Sequence, residues 1–324
     1  MLLKITHTTD LTYSDMISES VMELRMVPRQ EQDQHRLSFN LAIGPSTNSL
    51  SYFDWLGNTV HAFTINAFHQ QIRIVATSVV ETDRPPRDLA ELPDTWPIAP
   101  RPEDYALQDF LCFGGPVVDS PQLRAVVESL QPRDGEPLGG LAQRMVDLIN
   151  QRFTYQPGVT TAASPITEML QHGYGVCQDF THLMIGMARA LKLPARYVSG
   201  YLHAQSDQLR GFSQTHAWVE LYFPSHGWIG FDPANRVMAG EHFVKAGIGR
   251  DFRDVPPNKG VYRGTAVETM RVQVQSEPLP VVPPELSVDR VRTLQIPTFA
   301  SGRPPHKERV VQQQEHQQQQ QQQQ

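Results

Sequence analysis

Gly173-Tyr174-Gly175-Val176-Cys177-Gln178-Asp179-Phe180 is the stretch that decides the fold. It runs into Leu183, Met184, Met187, Ala188 and Leu191, apolar positions at helical spacing, which predicts a helix with one buried face. Gly173 and Gly175 precede that helix and supply the backbone freedom for a tight turn into it. Cys177 then falls at or near the first turn. Unsatisfied N–H groups and the positive end of the helix dipole favour a thiolate there. A cysteine so placed is a candidate nucleophile. The competing reading is a small buried hydrophobe, the usual role of a free cysteine. Cys112, in Asp109-Phe110-Leu111-Cys112-Phe113-Gly114-Gly115, has no helical start and no basic neighbour in sequence, so it reads as packing.

Outward from this helix, Ser164-Pro165 opens an earlier helix that Gly173 ends, and Leu193-Pro194 stops the cysteine helix. Strands follow. Ala195 to Leu202 is one. Thr215 to Phe223 is the next, with His216, Trp218, Glu220 and Tyr222 on one face and Ala217, Val219, Leu221 and Phe223 on the other. Pro224-Ser225-His226-Gly227 makes a turn, and Trp228 to Asp232 returns until Pro233.

A thiol nucleophile needs a base, and the base needs a group to orient it. This hairpin carries both residue types. With the turn centred between Ser225 and His226, His216 and Asp232 become near neighbours across an antiparallel pair. A carboxylate beside an imidazole fixes its tautomer and raises its basicity. Taken singly, His216 reads as a core or surface histidine and Asp232 as a turn-starting aspartate. With Cys177 they form a set that points to catalysis. A metal site is the rival. Zinc favours four ligands in short pairs, and the chain has no C-x-x-C or H-x-x-x-H pair. His172 and His182 flank Cys177 but lie on opposite sides of a glycine break. No metal and no cofactor is expected.

Residues 1–82 read as an all-β sandwich or barrel. Val21, Glu23 and Arg25 alternate with Met22, Leu24 and Met26, and Leu37, Phe39, Leu41 and Ile43 keep the same period. Phe53 and Trp55 run into the hairpin dipeptide Gly57-Asn58, and Gln71 to Thr82 forms a further strand. The histidines here, His7, His35, His61 and His69, are scattered and read as surface or structural. Residues 83–119, with Pro85, Pro86, Pro93, Pro97, Pro100 and Pro102, read as a connector rather than a packed element. Residues 120–275 form the second unit, opened by the Ser120-Pro121 cap and the stripe Leu138, Leu141, Met145, Leu148 and Ile149. It closes on an alternating strand carrying Met270, Val272 and Val274. Residues 276–324, rich in proline and then glutamine, are expected to be disordered.

The net charge is −6 and the pI near 6.0, which gives no reason to expect nucleic acid or anionic lipid as a partner. Two cysteines make no disulfide framework and fit a reducing compartment. Met1-Leu2-Leu3-Lys4-Ile5-Thr6-His7 is too short and polar for a signal segment, and no stretch reaches the roughly 20 apolar residues of a membrane helix. A cytoplasmic location is the expectation.

The motifs Gly175-Val176-Cys177-Gln178-Asp179-Phe180-Thr181-His182-Leu183, Pro194-Ala195-Arg196-Tyr197-Val198-Ser199-Gly200-Tyr201, Thr215-His216-Ala217-Trp218-Val219-Glu220 and Gly227-Trp228-Ile229-Gly230-Phe231-Asp232-Pro233 together resemble the transglutaminase-like superfamily. The N-terminal residues His7, Tyr13 and Leu24-Arg25-Met26-Val27-Pro28-Arg29 resemble the β region that bacterial members carry. Gly249 to Pro257 and Gly260-Val261-Tyr262-Arg263-Gly264 also fit the family resemblance. The resemblance implies an α+β fold, a papain-like core with a helix-borne cysteine on an antiparallel sheet, beside the N-terminal all-β domain. It implies Cys177 as nucleophile, His216 as base and Asp232 as orienter, acting on a peptide or protein amide through a thioester. The backbone N–H of Cys177 is one expected oxyanion donor. Tyr155 is a candidate second donor, or else a core tyrosine. Water as acceptor would make a peptidase or amidase, the preferred expectation, and an amine would make a transglutaminase. A non-catalytic peptide-binding module of the same fold is the remaining alternative. The calcium sites of the animal enzymes have no counterpart in the sequence.

Overall fold

The computed structural model describes residues 1–85, 88–99, 105–203 and 214–299, with the backbone of 311–314. The N-terminal region holds six strands: β1 (Leu2–Ile17), β2 (Glu19–Leu24), β3 (Gln34–Gly44), β4 (Ser49–Phe53), β5 (Thr59–Ile65) and β6 (His69–Thr82). Alternation decides their faces. Met22 and Leu24 are buried, while Val21 just before them faces out. In β3 the alternation breaks once: Phe39, Leu41 and Ile43 are buried but Leu37 is exposed. The pairing of β3 with β6 shifts between Arg36 and Ser38, and this bulge puts Leu37 out of phase. Of the four histidines here, His7 is buried and bonded to the Tyr201 hydroxyl, and His69 is buried against Ser20.

The second unit stacks helices on a sheet. The helices are α1 (Pro121–Glu128), α2 (Leu138–Arg152), α3 (Ile166–His172) and α4 (Cys177–Ala190). The strands are β7 (Ala195–Leu202), β8 (Thr215–Phe223), β9 (Gly227–Asp232) and β10 (Phe243–Gly249). Their order is Val237–Met238, β9, β8, β7, β10, antiparallel throughout. Ala217, Val219, Leu221 and Phe223 turn to the helices, as the sequence predicts, and share one core with Phe180, Leu183, Met184 and Met187. Helix α4 is buried on all sides from Cys177 to Arg189, not on one face. It lies between the sheet and the other helices, so its polar side need not meet water.

Three further strands, β11 (Asn258–Arg263), β12 (Glu268–Pro278) and β13 (Arg290–Thr293), return to the N-terminal region. They complete two five-stranded sheets, β12-β1-β6-β3-β13 and Val311–Gln314-β11-β2-β5-β4. This corrects two expected boundaries. The sheet of the second unit ends at Gly249, and residues 258–278 belong to the β sandwich rather than to a unit ending at 275. The segment expected to be a disordered tail is ordered as far as it is described to residue 299: β13 runs parallel to β3, and Asp289 accepts the Phe39 N–H. Burial of Met270 and Val274 against β1 is the physical reason β12 pairs there. The expected disorder of the glutamine run from 315 onward lies outside the described residues.

The proline-rich segment 83–119 is also corrected. Its described residues pack, since Leu92 and Val117 are buried in the helical core and Phe110 is buried with its ring 5.1 Å from Trp228. Thr95 and Trp96 pair with Pro137 and Glu136, and farther along the buried guanidinium of Arg189 supplies backbone partners, donating to the carbonyls of Phe110 at 3.0 Å and Cys112 at 2.8 Å. Cys112 itself is exposed, not a packing residue. Among the described residues, no helix is long and apolar enough to cross a membrane.

Candidate active site

Gly173 closes α3 in the left-handed region, at φ 79°. Tyr174 and Gly175 then pair in parallel with Thr154 and Tyr155, and Val176 is extended where α4 begins. Asp179 reaches back over this turn. Its Oδ2 accepts the Val176 N–H at 2.8 Å and the Thr160 hydroxyl at 2.6 Å. Gly175 leaves room for it, because a Cβ there would lie 2.8 Å from Asp179 Cβ. Burial raises the Asp179 carboxyl to about 6, against the pull of Thr160 and Val176 the other way. The sequence Gly-Val-Cys-Gln-Asp is therefore a fitted cap that fixes the first turn of α4. Cys177 sits in that turn, 3% exposed.

His216 stands near the start of β8 and Asp232 ends β9. Val219 pairs with Phe231, so Asp232 comes level with Trp218 and lies diagonal to His216 on the same face. The diagonal is short: His216 Nε2 is 2.6 Å from Asp232 Oδ2, and both side chains are 0% exposed. The other ring nitrogen, Nδ1, is buried without an ideal hydrogen bond. Cys177 is close enough to act on the ring by charge and hydrogen bonding. Burial alone would lower the imidazole pKa; Asp232 and then Cys177 outweigh it and raise it to about 10. The ring also packs on Trp218 at 6.4 Å and Phe243 at 6.2 Å. Gly200 lies opposite His216 in β7, where a Cβ would run into Trp218 and the Val244 carbonyl.

Asp232 is itself held. Its Oδ1 accepts the N–H groups of Ala234 at 3.0 Å and Asn235 at 3.1 Å. Its Oδ2 accepts the Asn235 side-chain amide at 2.7 Å. That amide nitrogen also stands 3.5 Å from His216 Nε2. Pro233 breaks the strand so that residues 234 and 235 can fold back onto the carboxylate. Asn235 is the site residue that sequence reasoning missed. Its signal is the spacing Asp-Pro-x-Asn, in which an aspartate collects the N–H groups of its own turn.

The structure brings Cys177, His216 and Asp232 together and treats the other candidates differently. Tyr155 pairs with Gly175, two residues before the sulfur, and its ring packs on Phe180 at 6.0 Å. His182 is buried, its ring tilted against Tyr197 at 5.0 Å, and accepts the Phe252 N–H at 3.2 Å. Burial lowers it to about 4, so it is a neutral structural acceptor. His172 is exposed at the end of α3. Among the described residues, no group of three or more His, Cys, Asp or Glu is placed to hold a metal ion.

Known proteins agree with this architecture. Residues 124–233 match the transglutaminase-like superfamily, and residues 3–81 match the bacterial transglutaminase-like N-terminal region. An uncharacterized protein of Mycobacterium leprae is 30% identical over 280 residues, covering 84% of this chain and 97% of the relative. A protein-glutamine gamma-glutamyltransferase of Pseudomonas aeruginosa is 27% identical over 166 residues, 46% of this chain but 24% of that longer protein. A solved structure described as a candidate cysteine protease from Cytophaga hutchinsonii superposes with a TM-score of 0.70 at 23% identity, over 87% of this chain and 93% of that one. At that identity the likeness is one of fold.

Proposed function

The chain belongs to the transglutaminase-like superfamily, and from that premise we propose that it is a cysteine-nucleophile enzyme that breaks peptide or protein amide bonds through a thioester on Cys177. The observation that carries the reading is a single buried imidazole, bonded to Asp232 at 2.6 Å through Nε2 and influenced by Cys177. A proton held on that ring is available to a leaving amine, and the sulfur beside it is the natural attacking atom.

In the proposed cycle the sulfur adds to the amide carbon. The C–S bond forms, the C–N bond breaks, and His216 gives its proton to the departing amine. Water then attacks the thioester, His216 takes the water's proton, and the acid leaves as the sulfur is released. Asp232, braced by Asn235, keeps Nδ1 turned to the sulfur. The backbone N–H of Cys177, at the start of α4, faces the oxyanion, and Tyr155 is the proposed second donor. Hydrolysis, as a peptidase or amidase, is the preferred outcome. Amine transfer is the second reading, favoured by the Pseudomonas aeruginosa relative named for glutamyl transfer.

The test is capture of the intermediate. Incubation with a peptide library, acid quenching and intact-mass measurement should show an acyl adduct on Cys177 that is absent from Cys177→Ala. Decay of the adduct in water marks a hydrolase, and movement to an added amine marks a transferase. An adduct that persists in Cys177→Ala, or none in the wild type, contradicts the proposal.

A further inference from the structure

The β sandwich is open along one side. β4 is the last strand of one sheet and β13 the last of the other. Register identifies the inner face of β4. Ser51 and Phe53 pair with His61 and Thr59, and residues so paired point to the same face. His61 stacks on Phe39 of the facing sheet at 5.4 Å, so that face is the inner one. Phe53 is nevertheless 75% exposed, and Val291, beside the buried Leu41, is 55% exposed. Both line a cavity of about 480 Å³, large enough to take a ligand. Leu50 and Trp55, each 61% exposed, continue the apolar surface around β4. The strand itself, Ser49 to Phe53, carries no charge and no proline, the usual guards of a free sheet edge.

The charge of this mouth is opposite to that of the chain. Arg29, Arg36 and Arg290 line it against Asp289, while the chain as a whole carries −6. Glu31 engages Arg29 at 3.0 Å, and Arg290 is exposed. Arg36 is only partly engaged. Its Nη2 stands 3.6 Å from Asp289, and its Nε is buried with no hydrogen-bond partner among the described residues. A buried donor left unmet is costly, and an incoming carboxylate relieves that cost with a charge-assisted bond.

We propose that this mouth docks an extended acidic segment of a partner protein, which adds as a strand to the free edge of β4. Alternate side chains of such a strand point into the cavity: an aromatic one meets Phe53 and Val291, and carboxylates meet Arg36 and Arg290. Charge selects this occupant over two others. A second copy placed about a two-fold axis would bring like arginines together. The chain's own residues 300–324 carry Arg303, Lys307 and Arg309 against Glu308 and Glu315, so they are not acidic. The proposal is independent of the thioester reading, since neither Cys177 nor His216 lines this cavity.

The experiment titrates the full chain, carrying Cys177→Ala so that no probe is consumed, with three synthetic peptides in a calorimeter. The first is acetyl-Thr-Glu-Thr-Phe-Thr-Glu-Thr-amide, which puts Glu, Phe and Glu on one face of an extended strand. The second replaces both Glu by Lys, and the third replaces Phe by Ser. The first should bind at least about tenfold more tightly than either of the others, and added salt should weaken it. Phe53→Ser and Arg36→Gln should each weaken the first peptide by at least about tenfold. Phe53 is mostly exposed, so its variant keeps the test valid if Arg36→Gln does not fold. No binding at about 1 mM peptide, equal binding of all three, or binding that Phe53→Ser leaves unchanged overturns the proposal. A dimer in sedimentation that Phe53→Ser dissociates gives the mouth to a second copy and overturns it as well. So does amide exchange within residues 300–324 that quickens in Phe53→Ser, which gives the mouth to the chain's own segment.

Discussion

Asn235 governs how Asp232 can stand. Its side-chain amide lies 2.7 Å from Asp232 Oδ2 and 3.5 Å from His216 Nε2, so one group positions two others. On the proposed mechanism, Asn235→Ala should lower the acylation rate by roughly 10–100-fold, as losses of orienting partners do, with KM little changed. Rapid-quench measurement of the acyl adduct checks it, and an equal loss in KM would mark a structural role instead. His216 gives a second prediction. Its pKa in the fold lies above its ordinary 6.5, at about 10. The stability contributed by its partnership with Asp232 is therefore full below pH 6.5 and is lost as pH rises through about 10. Chemical denaturation of the wild type should weaken between pH 7 and 10, and His216→Gln should flatten that decline. Cys177, His216 and Asp232 were legible because thiol chemistry demands those residue types. Asn235 was not, because it acts only through a turn that the fold closes.

At the scale of the element, the start of α4 depends on fit more than on flexibility. The two glycines before it look alike in sequence and do different work. Gly173 adopts φ 79°, which side chains resist. Gly175 is needed for space, since its missing Cβ would meet Asp179 at 2.8 Å. Gly175→Ala should cost about 1–3 kcal/mol, the usual effect of overpacking, and should disturb the Asp179 bond to Val176. A lowered Tm together with slower labelling of Cys177 is the expected result. Lowered Tm alone would show that the cap does not set the sulfur's position. The pattern of α4 was readable as a helix, but not its burial on all sides, which depends on helices distant in the chain. Leu37 illustrates the same limit in a strand: a bulge seen only on pairing with β6 turns it outward.

Across the whole molecule, the β sandwich and the helix-covered sheet are joined by side chains acting as backbone. Gln34 takes the Lys245 N–H at 2.7 Å and donates to its carbonyl at 2.8 Å. Asn58 does the same for Ile248, at 2.9 Å each way. Two amides thus cover the edge of β10 that would otherwise be open. Lys245 adds an ion pair to Glu31 at 2.5 Å across the same junction and one to Glu220 at 2.6 Å within its own sheet. Gln34→Ala should destabilise the chain by about 1–3 kcal/mol, because it leaves the Lys245 N–H buried and unmet, while the Lys245 carbonyl keeps the Arg29 N–H at 2.9 Å. A single denaturation transition at lower denaturant is expected; two separate transitions would show independent units. Local patterning could place strands in residues 1–82 but not the late partners β11, β12 and β13, since pairing across the length of the chain leaves no mark within either segment. The whole arrangement serves to hold one imidazole between Asp232 and Cys177. The most direct measurement is the rate of Cys177 alkylation by iodoacetamide against pH, in the wild type and in His216→Ala. A protonated His216 beside the sulfur favours attack by its anion, so the wild type should be labelled faster than His216→Ala at pH 6 to 7. His216→Ala should follow an ordinary thiol, with a midpoint near about 8.5. Identical profiles with that ordinary midpoint in both proteins would contradict the account.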